Sequence, residues 1–479
     1  MAKSASSYVC SSCGAQSRQF FGRCAGCGSW NTLVEQLASP APDRRRRRAV
    51  ASADGAESSR RPIRSEPIAA VGERPLQRLS SGYGELDRVL GGGLVPGSLV
   101  LLGGDPGIGK STLLLQSARS MAGRASVLYV SAEESAQQVK LRWRRLARID
   151  EAGVDGADDV EAGGDFQLLA ETDLELVLQE LEALRPAVAI IDSIQALHDA
   201  ELASAPGSVA QVRECAAALA RIAKRQDTAL LLVGHVTKEG MLAGPKVLEH
   251  LVDAVLTFEG DRFASHRLLR AVKNRFGATH ELGVFEMQGR GLAEVSNPSE
   301  LFLGGSEPSS GTATIVACEG TRPLVVELQG LVSTTSYASP RRSATGIAVN
   351  RLHQILAVLE KHLGLPLSRF DCYLAVAGGL EVEEPAADLG VAAAVVASYR
   401  DLTLPPGTVL IGELGLGGQL RPVGQLELRL QEAARLAFCR AVVPKGSGLG
   451  RVVEGLELLE CSTVAEAIVK ALGTAVVDP

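Results

Sequence analysis

Between residues 78 and 298 the chain alternates short apolar runs with longer amphipathic stretches. SLVLLGG, ASVLYVS, AVAIIDS and TALLLVGH have the length of buried strands, while KSTLLLQSARSMA and VAQVRECAAALARIAKRQ carry apolar residues at helical spacing. Strands that alternate with helices predict a mostly parallel α/β sheet. From about residue 311 the pattern changes. A β-rich stretch, TATIVACEGTRPLVVELQGLV, precedes amphipathic helices and the further strand-like runs CYLAVAGG, TVLIGEL and AVVP, so a second α/β domain is expected. KLRWRRLAR, Lys140 to Arg148, reads as an amphipathic helix with a solvated charged face.

No apolar run approaches the roughly 18 residues that a membrane helix needs. The first thirty residues hold cysteines and polar side chains where a signal peptide would be apolar, so the cytoplasm is the expected compartment. At 479 residues, two or three domains are expected. Net charge is −6, but residues 1–66 hold eleven basic and five acidic side chains, a basic head on an acidic body. A basic head can meet phosphates. Residues 37–77, rich in Pro, Ser, Ala and Arg, lack periodicity and read as a disordered linker.

Four of the nine cysteines, Cys10, Cys13, Cys24 and Cys27, crowd into residues 1–36. The spacing is Cys-x2-Cys, ten residues, Cys-x2-Cys, with glycine after the second cysteine of each pair. Two such pairs can share one tetrahedral Zn²⁺, and the glycine lets the backbone close around sulfur. So short a segment has too few apolar side chains for a core, and the metal would supply most of the folding energy. The other five cysteines are scattered, which suits reduced thiols.

Gly104, Asp105, Pro106, Gly107, Ile108, Gly109, Lys110 and Ser111 fit G-x4-G-K-[ST] between an apolar run and a helical pattern that continues through Thr112. Main-chain amides of this loop would curl around the phosphates of ATP. Lys110 would reach the β- and γ-phosphates, and Ser111 would ligate Mg²⁺. AVAIIDS ends in Asp192, the pattern of a strand whose aspartate holds Mg²⁺ through water. SVLYVSAEES, read as the strand beside the phosphate loop, ends in Glu133 and Glu134. Glu133 is the expected base for the attacking water, with Glu134 as the alternative.

GYGELDRVLGGGLVPGSLVLLGGDPGIGKSTLLLQ resembles the start of the RecA/DnaB/KaiC-type ATPase core. KNRFG (Lys273, Asn274, Arg275, Phe276, Gly277), joined to an N-terminal four-cysteine module, resembles the RadA (Sms) family of bacterial DNA repair proteins, and the likeness covers essentially the whole chain. That resemblance implies a DNA-dependent ATPase acting on branched recombination intermediates in double-strand break repair. It implies a hexameric ring on single-stranded DNA that promotes branch migration alongside RecA. It also gives Lys273 and Arg275 the role of coupling ATP in one subunit to its neighbour, and His235 that of a γ-phosphate sensor. Lys238 and Lys246 flank a Gly-rich stretch where related motors place a DNA-contacting loop. Arg44 to Arg48 reads as a solvated linker patch.

From about residue 345, EEPAADLGVAAAVVAS and GELGLGGQLRPVGQLELRLQEAARLAFCRAVVP resemble the proteolytic domain of Lon. The resemblance aligns Ala386 with the catalytic serine and Glu427 with its lysine partner. A methyl and a carboxylate cannot run that dyad, so a protease is not expected. The domain would hold the ring together, with Arg421 and Lys445 as DNA contacts. The expected architecture is therefore a zinc ribbon (1–36), a linker (37–77), a RecA-like ATPase (78–298), a connecting segment that starts the last domain (299–344) and a Lon-like α/β domain (345–479).

Overall fold

A computed structural model describes residues 77–147, 164–235, 245–260, 265–289, 291–303, 309–337, 339–447 and 453–473, with short stretches between 6 and 37. Near the N-terminus, β1 (Ser6–Cys10), β2 (Gln16–Ser17) and β3 (Leu33–Leu37) form an antiparallel sheet in the order β2-β1-β3. The expected linker falls outside the described residues, apart from its two ends at Leu37 and Gln77.

The chain then divides into two compact units, residues 1–262, 267–277 and 287–293 in one, residues 263–266, 278–286 and 294–479 in the other. The larger sheet contains β4 (Leu99–Gly104), β5 (Val127–Ser131), β6 (Phe166–Ala170), β7 (Val188–Asp192), β8 (Ala229–Val233), β9 (Ala254–Glu259), β10 (His266–Asn274), β11 (Leu282–Gln288) and β12 (Gly291–Glu294). Its order is β12-β11-β10-β9-β4-β8-β7-β5-β6. The strands from β9 to β6 run parallel, and β10 returns antiparallel along β9. Strands β4, β5, β7 and β8 are buried along their whole length, as continuous apolar runs require when helices cover both faces.

On one face, Leu99, Leu101, Leu128, Val130, Ala189, Ile191, Leu230 and Leu232 pack on the helices Leu174–Leu184 and Val209–Gln226. Asp173 and Ser208 start those helices by accepting the backbone N–H of Glu175 and Gln211. The helix Lys110–Ala122 begins directly behind β4, so the phosphate loop lies at the carboxyl end of the sheet. One expectation is corrected here. β5 is not the strand beside β4; β8 and β7 lie between them. Its carboxyl end still reaches the site, because β5 pairs with β7 and sets Ser131 opposite Asp192.

The second unit carries β13 (Thr312–Glu319), β14 (Arg322–Thr334), β15 (Arg342–Thr345), β16 (Phe370–Val376), β17 (Thr408–Leu410), β18 (Glu413–Leu414), β19 (Leu420–Arg421), β20 (Arg440–Pro444) and β21 (Glu457–Cys461). Seven of them form a mixed sheet, β15-β16-β14-β13-β17-β20-β21, while β18 and β19 make a separate hairpin. β13 and β14, which carry the β-rich stretch read from the sequence as the start of the last domain, are central strands of this unit's sheet. Residues 278–286 also cluster here rather than with the ATPase residues around them. The Glu281 carboxylate accepts from the Thr321 backbone N–H at 2.9 Å, and Arg322 donates to the Leu282 carbonyl at 2.9 Å.

The helix Asp388–Arg400 is buried from Asp388 to Ala397. Its small residues allow a close crossing over β13 and β14: a Cβ on Gly390 would lie 2.0 Å from Ile315 Cγ2. The other face of the sheet packs Val316, Val325, Val409 and Ile411 against Leu426, Leu430 and Ala433 of the helix Leu426–Arg435. Among the described residues no helix is long and apolar enough to cross a membrane.

Candidate functional site

Gly104, Gly107 and Gly109 all have φ in the left-handed region, at 151°, 79° and 117°. That backbone turns amides inward, and a side chain at Gly104 would drive its Cβ to 2.5 Å from the Phe258 carbonyl oxygen. Lys110 opens the helix with only 4% exposure, and its ammonium donates to the Gly104 and Asp105 carbonyls at 2.7 and 2.8 Å. Burial pulls its pKa below the usual lysine range, against the carboxylates of Asp192, Asp105 and Glu133, which pull the other way. Ser111 and Thr112 continue the same first turn, whose N–H groups point at the loop.

Across the carboxyl edge, the Glu133 carboxylate accepts a hydrogen bond from the Ser193 hydroxyl and lies 3.1 Å from His235 Nε2. The His235 hydrogen bond, helped by Ser193 and opposed by burial, holds Glu133 below the usual carboxylate range. Glu134 turns elsewhere: it pairs with Arg142 at 2.5 Å on the helix Ala136–Ala147. Of the two glutamates left open by sequence, Glu133 is the one grouped with Ser193, His235 and the charge of Lys110. Asp192, 8% exposed, accepts from the Tyr129 hydroxyl at 2.6 Å. A carboxylate and the Ser111 hydroxyl are hard oxygen donors of the class Mg²⁺ takes, so the residues present fit that ion.

The KNRFG residues meet two segments of the same chain, 249–253 and 78–91. Lys273 Nζ donates to the carbonyls of Glu249 and Val252, at the end of the helix Pro245–Leu251. Burial and the adjacent Arg275 keep its pKa below the usual lysine range, against Asp253 and Glu249. Arg275 donates to Asp253 Oδ1 at 2.9 Å, and Asp253 Oδ2 accepts the backbone N–H of Leu99, the first residue of β4. Asn274 donates to the Val89 carbonyl at 3.1 Å. Arg78 donates to the Phe276 carbonyl at 2.7 Å, and a Cβ on Gly277 would come within 2.8 Å of Gly91 Cα. Sequence reasoning missed this internal anchoring, since it treated Lys273 and Arg275 only as groups for a neighbour.

Of the metal-site cysteines, Cys10 is described only as backbone in β1, and Cys13, Cys24 and Cys27 lie outside the described residues. The donor set, four thiols in two Cys-x2-Cys pairs, fits Zn²⁺ by its chemistry. Lys238 also lies outside the described residues, and Lys246 is described only as helix backbone. Arg421 faces Glu413 at 3.5 Å across the β18–β19 hairpin, and Lys445 is exposed at the end of β20.

In the second unit, Ala386 is 3% exposed and Glu427 lies on the exposed side of its helix. The side chain of that helix which meets the turn is Arg429, paired to Glu384. Opposite charges at 384 and 429 were the only hint of it in the sequence. Asp388 is gripped by Arg351, with Nε 2.7 Å from Oδ1, and also accepts the Leu414 N–H at 3.0 Å.

Comparison with known proteins sets this geometry in a family. Residues 75–241 match the model of an AAA domain, and residues 8–35 match that of a rubredoxin metal binding domain. A DNA repair protein RadA of Synechocystis sp. is 57% identical over 98% of this chain and 95% of its own length. Proteins of the same name from Bacillus subtilis and Halalkalibacterium halodurans are 46% and 47% identical, each over 99% of this chain and 100% of theirs.

Proposed function

Since the chain belongs to the RadA family of DNA repair proteins, we propose that it is a DNA-dependent ATPase that remodels branched recombination intermediates. It binds single-stranded DNA as a hexameric ring of its own copies and extends strand exchange begun by RecA through branch migration. The reading includes double-strand break repair in the cytoplasm and excludes peptide hydrolysis.

The observation that carries it is the meeting of Lys110, Glu133 and Asp192 at the carboxyl edge of the parallel strands of one sheet. In this reading the glycine-rich loop and the first turn of the helix Lys110–Ala122 bind the phosphates. Lys110 leaves the Gly104 and Asp105 carbonyls to stabilise negative charge on the γ-phosphate. Glu133, ionised well below neutral pH, orients the attacking water and accepts its proton. His235 and Ser193 fix the direction in which that carboxylate points. Mg²⁺, held by Ser111 and through water by Asp192, would supply charge neutralisation on the phosphates.

Lys273 and Arg275 couple this site to DNA binding and to the neighbouring subunit. Support comes from the bond of Arg275 to Asp253, which in turn bonds the first residue of the P-loop strand, and from the bond of Lys273 to the neighbouring Val252 carbonyl. Lys238 and Lys246 contact the DNA backbone, with Arg421 and Lys445 as further contacts on the second unit. The four-cysteine module carries one Zn²⁺ and serves as a docking element.

ATP hydrolysis measured with and without single-stranded DNA tests the proposal. Wild type is stimulated by DNA, Lys110→Ala hydrolyses nothing, and Lys273→Ala keeps nucleotide binding but loses stimulation and movement of branched DNA. A wild-type rate unaffected by DNA would favour a nucleotide-switched scaffold. Degradation of an unfolded protein dependent on Lys110 would revive a protease.

A further inference from the structure

The two oxygens of Asp192 sit in unequal surroundings. Oδ2 accepts the Tyr129 hydroxyl at 2.6 Å, whereas Oδ1 has no hydrogen-bond partner among the described residues. Tyr129 has little freedom to leave. It is 1% exposed in the middle of β5, and its ring centroid lies 6.3 Å from that of Phe166. Phe166 in turn stacks on Trp143 at 4.3 Å, and the Arg119 guanidinium lies 5.7 Å over that indole. The aromatic column from the helix Ala136–Ala147 inward therefore fixes where the phenol points.

A carboxylate that serves a small, hard cation through water must present one oxygen in one direction, because Mg²⁺ tolerates little departure from octahedral geometry. Rotation about the last side-chain torsion of aspartate is soft, so the torsion needs an external restraint. We propose that Tyr129 is a positioning residue for the magnesium site: by occupying Asp192 Oδ2 it orients Oδ1 toward the hydrated Mg²⁺ of bound nucleotide. The inference rests on the reading of Asp192 as the metal-holding carboxylate.

A buried phenol needs an acceptor whether or not it positions anything. The test therefore separates orientation from simple packing. Full-length wild type, Tyr129→Phe, Asp192→Asn and the double variant are titrated with MgCl2, following the binding of a fluorescent ADP. A parallel series in EDTA gives metal-free binding, and ATP hydrolysis is read across the same magnesium range. Tyr129→Phe keeps the ring and so keeps the fold. It should bind ADP in EDTA like wild type but require about tenfold more Mg²⁺ for half-maximal binding enhancement and hydrolysis, the usual size of an outer-sphere defect. The double variant should match Asp192→Asn alone.

An unchanged magnesium requirement in Tyr129→Phe overturns the proposal, provided that Asp192→Asn shifts it. Equal losses in EDTA and in Mg²⁺ would assign Tyr129 to packing, and additive effects in the double variant would separate it from Asp192. If Asp192→Asn itself leaves the magnesium requirement untouched, the reading of Asp192 falls and the role of Tyr129 falls with it.

Discussion

Arg429 and Glu384 form a bidentate pair, Nη1 to Oε1 at 2.6 Å and Nη2 to Oε2 at 2.5 Å, with the arginine side chain only 4% exposed. Arg429 lies two residues beyond Glu427 on one helix, and Glu384 lies two residues before Ala386. The pair therefore joins the two segments that the Lon resemblance identifies with a serine–lysine dyad. Further bonds tie it to β13: the Cys318 N–H donates to Glu384 at 2.6 Å, and Arg429 donates to the Val316 carbonyl at 2.6 Å. A turn held this way is built for rigidity, and it presents neither a hydroxyl nor an amine for acyl transfer.

Removing Arg429 should cost more than the pair itself contributes, because the partly buried Glu384 carboxylate loses its counter-charge and the Val316 carbonyl loses its donor. Arg429→Ala is expected to destabilise the second unit by about 3–5 kcal/mol. Calorimetry that resolves its unfolding from that of the ATPase unit reads this directly. In the same background as wild type, Ala386→Ser with Glu427→Lys should yield no peptidase activity, since Glu427 is exposed while position 386 is buried. Cleavage of an unfolded protein by that double variant would show that the turn can still host the dyad.

The pH dependence of hydrolysis should follow Glu133. Its pKa is depressed first by the His235 hydrogen bond, so the ionised base persists below the usual carboxylate range and is lost only as pH falls through the lowered value. His235→Ala removes the largest cause of that depression. The acid limb of kcat should then move to higher pH, with a smaller shift in the same direction for Ser193→Ala. Overlapping acid limbs for wild type and His235→Ala, with Glu133→Gln inactive, would separate the base from its histidine neighbour.

The parts of this site that were legible in the sequence are those encoded by neighbours along the chain. The phosphate loop is a contiguous spacing, and the helices Lys110–Ala122 and Val209–Gln226 coincide with their apolar periodicity. Glu133 and Glu134 could not be separated because the discriminating partner, Arg142, arrives only when the following helix folds back. β6 gave no clear signal, since FQLLA is only partly buried at the edge of the sheet. The anchoring of KNRFG was hidden for a different reason. Asn274 bonds Val89 and Gly277 packs on Gly91, contacts between distant segments that no local pattern records.

That close approach makes Gly277 sensitive. A methyl group there would sit 2.8 Å from Gly91 Cα and 3.1 Å from Asn274 Nδ2, and a backbone neighbour cannot swing aside. Gly277→Ala should cost about 1–3 kcal/mol and lower the melting temperature of the ATPase unit, as overpacking does. The displaced motif should also weaken DNA stimulation more than basal hydrolysis. A stable variant with normal stimulation would mean that Gly91 and Gly277 can separate without consequence.

Metal removal should act on the N-terminal module alone, because its cysteines have no apolar core to fall back on. The chain has two tryptophans, which report separately: Trp30 lies in the module and is 70% exposed, while Trp143 is stacked on Phe166 in the ATPase unit. In a Trp143→Phe variant, a strong chelator should release one equivalent of Zn²⁺, counted by atomic emission, and change the emission of Trp30. In a Trp30→Phe variant the same treatment should release the metal and leave Trp143 emission unchanged. Nucleotide binding by the chelated protein should persist in added Mg²⁺, because Lys110 and Ser111 on the helix Lys110–Ala122 and Asp192 on β7 rest on an apolar core that needs no zinc. Loss of both tryptophan signals on chelation would instead make the metal a condition for folding the ATPase unit.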